Sequence, residues 1–327
     1  MSAPVVSVVT PAFNASATIA DTIRSVLAQT VTDWEMIVVD DGSTDATLQV
    51  ARSFDDARIR CIAMPHTGTP AAARNRGIEE ARAPRVAFID ADDMWMPNFL
   101  ERELAVLEET GATLAHCHWV NLRGGRLYLE PAHCPPGILG PPELLRLLVR
   151  QHVLSCIALV VERRALLDVG LFDPDPGLAG QEDLDLWFRL APHARFVHLP
   201  EPLFIVRIRD ESISRNVRGN LSGTILALEK LRRREPGLVA SIADDYRRRL
   251  AQLLFELGCY KVLNGSPGGG RAELIRSLRY RPASARTWLW LGLGLSGPVG
   301  PRTWARFRGR LAGRTAARAG AGAGEPR

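Results

Sequence analysis

Strand-length apolar runs alternate with helix-period segments over the first third of this chain, and that alternation restricts the fold more than any other feature. The run VVSVVT, Val5 to Thr10, reads as a buried strand. Ile19, Ile23, Val26 and Leu27 then recur at helical spacing, with Ser16 placed to cap them. WEMIVVD, Trp34 to Asp40, is a second strand, and Ser43 or Thr44 can cap a short helix in GSTDATLQVA. RIRCIA makes a third strand, TPAAARNRGIEEA a helix with Thr69 as cap and Pro70 in its first turn, and RVAFID a fourth strand. Short connections between such elements predict an α/β fold, a Rossmann-like and mostly parallel sheet flanked by helices. Ligands bind such sheets beyond the carboxyl ends of the strands. Four loops converge there: Pro11 to Asn14, Asp40 to Asp45, His66 to Thr69 and Asp90 to Asp93.

The last of these loops is chemically demanding. Asp90, Asp92 and Asp93 crowd the end of a strand whose Val86, Phe88 and Ile89 enter the core, and unpaired carboxylates so placed repel one another. A cation is expected among them. The Gly-rich phosphate cradles GxGxxG and GxxxxGK[ST] are absent, so a phosphate ligand needs another source of positive charge. Two carboxylates spaced as DxD can hold a divalent ion that keeps part of its water shell and bridges to a diphosphate. DDGSTD on its own is equally a turn followed by a helix cap; its place on the same rim gives it weight.

Composition excludes several other classes. With 327 residues and 46% hydrophobic content, the chain can bury a large core. Its start, MSAPVVSVVTPAFN, lacks a basic segment before the apolar run, which predicts a strand that stays in the cytoplasm and no secretory signal. The five cysteines are scattered without CxxC spacing and are expected to be reduced, mostly buried thiols. Nine arginines and one acid give residues 281–327 a charge of +8, which leaves the preceding residues at −3 in a chain of +5. Positive charge confined to a Gly/Ala/Arg-rich end argues against nucleic acid as a partner.

A second acidic cluster, GQEDLDLWFRL, follows Gly180. Glu182, Asp183 and Asp185 open a helical run, where the helix dipole favours ionised carboxylates; such a group can act as a base or merely stabilise its helix. Asp183 shares a face with Trp187, and Asp185 lies across the helix. Trp187 is a candidate for stacking on a sugar, although a Trp among Leu184, Leu186 and Phe188 is more often core. His116 and His118 in HCHW share a strand face, but no further ligands complete a metal site, so packed histidines are expected. NLRGGRLYLE reads as a hairpin, expected to border the site of an acceptor.

The order VVSVVTPAFNASATIADTIRSVLAQT, WEMIVVDDGSTDAT, HTGTPAAARNRGIEEA, VAFIDADDMWMP and GQEDLDLWFRL resembles the family 2 glycosyltransferases with the GT-A fold, over about residues 4–215. The resemblance implies an inverting transfer from a nucleoside-diphosphate sugar, UDP-linked in most relatives, to a glycan or lipid-linked acceptor, with Mn2+ or Mg2+ as cofactor. It implies that Pro11 and Phe13 line the base, that Asp41 contacts it, and that Asn14, Asp40 and Ser43 belong to the nucleotide-sugar site. It puts Arg74 near the nucleotide or its diphosphate and makes Asp90 and Asp92 the metal pair, Asp92 as direct ligand and Asp90 nearer the ribose, with Asp93 behind them. Asp183 becomes the base, with Glu182 as a secondary candidate. The chain departs from the pattern at VRIRDESIS, where Arg209 stands in place of an expected His; arginine cannot ligate a cation but binds phosphate oxygens well. A sugar nucleotidyltransferase and a catalytically inactive nucleotide-sugar-binding protein are the alternatives. The first would need a Gly-rich basic loop where PAFNAS stands, and the second would be expected to lose Asp92 or Asp183.

The resulting organisation is a catalytic domain over 1–215 with a nucleotide-sugar half, 1–105, and an acceptor half, 106–215. A helical extension over 216–280 covers the core or pairs two subunits, and a basic tail over 281–327 follows. TWLWLGLGLSG, in that tail, is too short for the roughly 20 apolar residues of a spanning helix. Trp288, Trp290 and Trp304 among arginines predict either peripheral contact with the inner face of the cytoplasmic membrane or packing of residues 288–295 on the helical segment.

Overall fold

The computed structural model describes residues 3–129, 134–151, 153–178, 180–208 and 216–295. The predicted alternation is present as β1 (Val6–Ala12), α1 (Ile19–Leu27), β2 (Trp34–Asp40), α2 (Thr47–Arg52), β3 (Ile59–Ala63), α3 (Pro70–Glu80) and β4 (Arg85–Phe88). β1 pairs in parallel with β2 and β4, and β2 with β3. Val6, Val8, Val9, Met36, Ile37, Val38 and Val39 have no exposed surface, because helices cover both faces of these strands. Gly77 sets how closely α3 approaches: a Cβ there would lie 2.3 Å from Val9 Cγ1. The same contact seats Arg74, one turn earlier on α3, deep against the sheet.

Caps follow hydrogen bonds more than residue type. Thr69 caps α3 as expected, its side chain accepting from Ala71 N. α1 begins after Thr18, and the Ser16 amide donates to Asp45 Oδ2, so Ser16 is no cap. Asp45, rather than Ser43 or Thr44, accepts from the Thr47 amide at the start of α2.

The sheet continues after β4 through elements less regular in sequence. These are β5 (Met94–Trp95), α4 (Phe99–Thr110), β6 (Leu114–Arg123), β7 (Arg126–Leu129), β8 (Gly137–Leu139), α5 (Glu143–Arg150), β9 (Leu159–Glu162), α6 (Arg163–Asp168), α7 (Glu182–Leu190) and β10 (Phe196–Arg207). The strand order is β3-β2-β1-β4-β9-β6-β10-β5, with β7 on β6 and β8 on β10. β9 is the unexpected member, running antiparallel to both β4 and β6. β6 and β7 form the predicted hairpin, turning through Gly124 and Gly125 at φ 56° and 76°. His116 and His118 are buried as expected, and a third histidine, His198, approaches His116 Nδ1 to 3.3 Å with its own Nδ1. All five cysteines are free thiols, four of them buried.

Helices follow as α8 (Val217–Arg234), α9 (Pro236–Ser241), α10 (Ala243–Leu263), α11 (Pro267–Tyr280) and α12 (Ala285–Leu295). The chain divides into two compact units between Tyr246 and Arg247, later than the expected boundary at 215. The first unit retains α8 through side chains: Lys230 pairs with Asp173 and Asp175, and Arg234 with Asp173 and Asp185. In the second unit α10 and α11 cross closely, since a Cβ on Gly270 would meet Gly258 O at 2.6 Å. Phe255, Cys259, Val262, Leu274 and Trp290 form its core. Trp290 therefore packs as one expectation held, while Trp288 stays 56% exposed. Among the described residues no helix is long and apolar enough to cross a membrane.

Candidate active site

The first two rim loops are knitted to each other. Asn14, at φ 47°, donates its amide to Ser43 Oγ, and its Oδ1 accepts from Thr44 N at 2.8 Å. Asp40 Oδ2 accepts from Ser43 N at 3.2 Å, whereas its Oδ1 is buried with no partner. Asn14, Asp40 and Ser43 thus shape the rim and lie outside the cleft lining. Gly42, at φ 72°, lets the loop pass the third: a Cβ there would sit 2.7 Å from His66 N.

Asp41 is held by that third loop. Its Oδ1 accepts from Thr67 N at 2.9 Å and Thr67 Oγ1 at 2.8 Å. His66 Nδ1 lies 2.9 Å from Asp41 O and 3.0 Å from Asp41 Oδ2; both are acceptors, which assigns the proton to Nδ1. The His66 ring stacks on Phe13 with centroids 4.2 Å apart and planes 19° apart, and Phe13 remains 46% exposed. An open aromatic face beside a fixed carboxylate suits a planar heterocycle. Sequence placed His66 on the rim without a role; its ring contact with Phe13 depends on a fold-level approach that spacing does not display.

The carboxylate loop is stapled from beneath. Thr18 Oγ1 donates to Ala91 O at 2.9 Å and Thr22 Oγ1 to Asp93 O at 2.8 Å, so the N-terminal turn of α1 fixes the backbone. On the other side Arg207 gives its amide to Asp93 Oδ1 at 2.8 Å and its Nε to Asp92 O at 3.1 Å. Oxygens of Asp90, Asp92 and Asp93 come within 4.8 Å of one another, a spacing and donor set that fit a hard divalent ion. Asp93 is buried and engaged by backbone, whereas Asp90 and Asp92 are part-exposed.

Arg74 stands behind this loop. Nη2 donates to Asp90 Oδ1 at 2.9 Å and Nη1 to Glu182 Oε1 at 3.0 Å. Its side chain is 5% exposed and outside the cleft lining, and it ties Asp90 to α7. Burial works against its charge, yet the Asp90 and Glu182 carboxylates beside it hold its pKa well above the ordinary arginine value. The Cys156 thiol beside it is pushed well up by burial and stays protonated.

The acids of α7 divide by environment. Glu182 is buried on Arg74, and Asp185 is fully buried between Arg189 Nε at 2.9 Å and Arg234 Nη1 at 2.7 Å. Asp183 is half-buried, and its Oδ1 accepts from Leu184 N at 2.7 Å. Trp187, the candidate for sugar stacking, is 1% exposed and belongs to the core, which removes it from the acceptor site. A cleft of about 950 Å³ joins Pro11, Phe13, Asp41 and His66 to Asp90, Asp92 and Asp93, and continues past Trp119, Asn121 and Arg207. Arg209 lies outside the described residues.

An open cleft at the carboxyl edge of a parallel half-sheet, with clustered aspartates, is the arrangement of a GT-A glycosyltransferase, and comparison with known proteins agrees. The profile of Glycosyl transferase family 2 matches residues 7–165. TuaG of Bacillus subtilis, a glycosyltransferase assigned to teichuronic acid biosynthesis, is 30% identical over 217 residues, covering 65% of this chain and 82% of that one. This chain belongs to the family 2 glycosyltransferases. The fold is also that of TarS 1-349 from S. aureus, solved with UDP-GlcNAc, at TM-score 0.60 and 16% identity over 84% of this chain and 89% of that one. A mannosyltransferase of Pyrobaculum calidifontis, solved with GDP-Man and Mn2+, matches at TM-score 0.59 and 16% identity over 95% of this chain and 86% of that one.

Proposed function

We propose that the protein is an inverting, metal-assisted glycosyltransferase that moves a sugar from a UDP-linked donor to a hydroxyl of an envelope-glycan or lipid-linked acceptor. The observation that carries this reading is the meeting, in one cleft, of the Phe13–His66 ring pair with the Asp90, Asp92 and Asp93 carboxylates. The base stacks on the open face of Phe13 beside Pro11 and is read by Asp41. Asp92 and Asp90 hold Mn2+ or Mg2+, which offsets the charge of the diphosphate when bound. Arg209, by its place in the sequence, adds a phosphate contact.

Asp183 takes the proton of the acceptor hydroxyl as that oxygen attacks the anomeric carbon from the side opposite the diphosphate. The bond from the anomeric carbon to the diphosphate oxygen breaks, the nucleoside diphosphate leaves, and the configuration inverts. Support for Asp183 comes from its neighbours: Glu182 and Asp185 are buried on arginines, and Asp183 is more accessible than either. TuaG's assignment to teichuronic acid supports an envelope-glycan acceptor, and the UDP-GlcNAc complex of TarS supports the donor.

The test is a panel of UDP- and GDP-sugars assayed for nucleoside diphosphate release with and without manganese. Manganese-dependent release from a UDP-sugar is the expected result. Release from GDP-sugars alone corrects the base, and release from no member of the panel overturns the reading.

A further inference from the structure

We propose that the C-terminal helical unit carries a phosphate pocket that seats the enzyme on the headgroups of an anionic bilayer. A cavity of about 410 Å³ opens among α10, α11 and α12, and three arginines line it: Arg248, Arg281 and Arg286. Among the described residues none of the three has an ion pair. The one carboxylate in the lining, Glu256, accepts from Gln252 Nε2 at 2.9 Å, so the wall is net positive. Three arginines against one carboxylate around one hollow are a site for an anion supplied from outside.

The pocket is organised before anything binds. The guanidinium carbon of Arg286 lies 3.9 Å from the ring centroid of Phe255, which orients the planar fork while leaving its N–H edge open. Thr287 and Ser277, each 2% exposed, form the floor. Ser284 Oγ lies 2.8 Å from Thr287 Oγ1, and one hydroxyl proton of that pair remains for a ligand. The positive end of the α12 dipole points the same way, since Ser284 and Thr287 start that helix. Arginine forks, hydroxyls and a helix start together match a phosphate ester.

The rest of α12 identifies the source of that phosphate. Trp288, Leu289 and Leu293 are 56%, 59% and 39% exposed, on the side of the helix away from the buried Thr287 and Trp290. Leu289 and Leu293 follow Arg286 at i+3 and i+7, so an apolar stripe runs directly from the rim of the pocket. Free phosphate has no use for such a stripe. A phospholipid satisfies both parts, with its phosphate among the arginines and the interfacial zone of the bilayer against Trp288 and the leucines. Seven further arginines follow in sequence between 302 and 327, all of the sign that an anionic leaflet attracts.

This site is independent of donor chemistry, so its failure would leave nucleoside diphosphate release untouched. The test is co-sedimentation of the full chain with vesicles of equal parts phosphatidylglycerol and phosphatidylcholine. An arginine at an anionic surface strengthens partitioning about fivefold, so Arg281→Gln with Arg286→Gln should weaken it about thirtyfold. The charge-matched pair Arg52→Gln with Arg232→Gln, exposed and outside the pocket, should change it less than about threefold. Equal losses from the two pairs would mean diffuse charge attraction and would overturn the pocket. So would unchanged sedimentation of the pocket variant. Calorimetry with inorganic phosphate separates the sources: saturable binding to Arg281 and Arg286 without any vesicle dependence on them would assign the site to a free anion and reject the lipid. Arg286→Gln alone, with an unchanged unfolding temperature, keeps the comparison valid if the double variant folds poorly.

Discussion

Arg74→Met tests whether one buried guanidinium holds the donor and acceptor sides of the site together. The substitution keeps an unbranched apolar stem of similar reach and removes bonds of 2.9 Å to Asp90 and 3.0 Å to Glu182. The two carboxylates suffer unequally. Asp90 is 33% exposed and can turn to water, so its share is small, whereas Glu182 is 7% exposed and its Oε2 already lacks a partner. Breaking a buried pair by removing one member costs about 3–5 kcal/mol. With Asp90 discounted for solvent, the lower end applies, about 3 kcal/mol, or about 6–12 °C in unfolding temperature for a unit of this size. Differential scanning fluorimetry and urea unfolding read the loss, and metal-dependent UDP affinity reads the displacement of Asp90. Adding Glu182→Gln to Arg74→Met should restore about half the loss, because it removes the stranded charge. Strictly additive effects of the two substitutions, or an Arg74→Met protein as stable as wild type, would refute the strut.

Three further outcomes are expected. Asp92→Ala should abolish manganese-dependent UDP binding in a calorimetric titration while leaving the unfolding temperature within about 1 °C, since a part-exposed carboxylate leaving a crowded loop relieves repulsion. Asp183→Asn should keep donor affinity and lower turnover by about 10²- to 10⁴-fold, with Glu182→Gln costing less; the reverse order would move the base to Glu182. Glu103 on α4 is fully buried beside the Cys117 thiol and the Val160 backbone, and burial raises its pKa well above the ordinary value. The folded protein therefore keeps a proton that the unfolded chain releases near 4.5, and this group's contribution is complete below that pH and erodes as pH rises toward the folded value. Glu103→Gln should gain on wild type in urea unfolding between about pH 5 and about pH 8, and a gap that does not widen with pH would contradict the assignment.

The parts of this fold that were legible in sequence are those decided locally. β2 runs from Trp34 to Asp40 as its apolar run predicts, Thr69 and Pro70 open α3, and Gly124–Gly125 turn the hairpin. The parts that were not legible depend on partners distant in the chain. β9 is only four residues, LVVE, too short to declare a direction, and becomes a sheet strand only by inserting between β4 and β6. His198 completes the packed histidines from a strand 82 residues beyond His116.

The three acids of α7 make the same point with consequences for chemistry. Helical spacing put Asp183 and Asp185 on different faces but could not say which acids are already spoken for. Glu182 meets an arginine 108 residues earlier in the chain, and Asp185 meets one 49 residues later. Asp183 is more exposed than either, and that difference places the assignment of the base on measurable ground. Neutralising Asp185 should disturb the seat of α8 through Arg234 and act on stability, whereas neutralising Asp183 should act on turnover at unchanged stability.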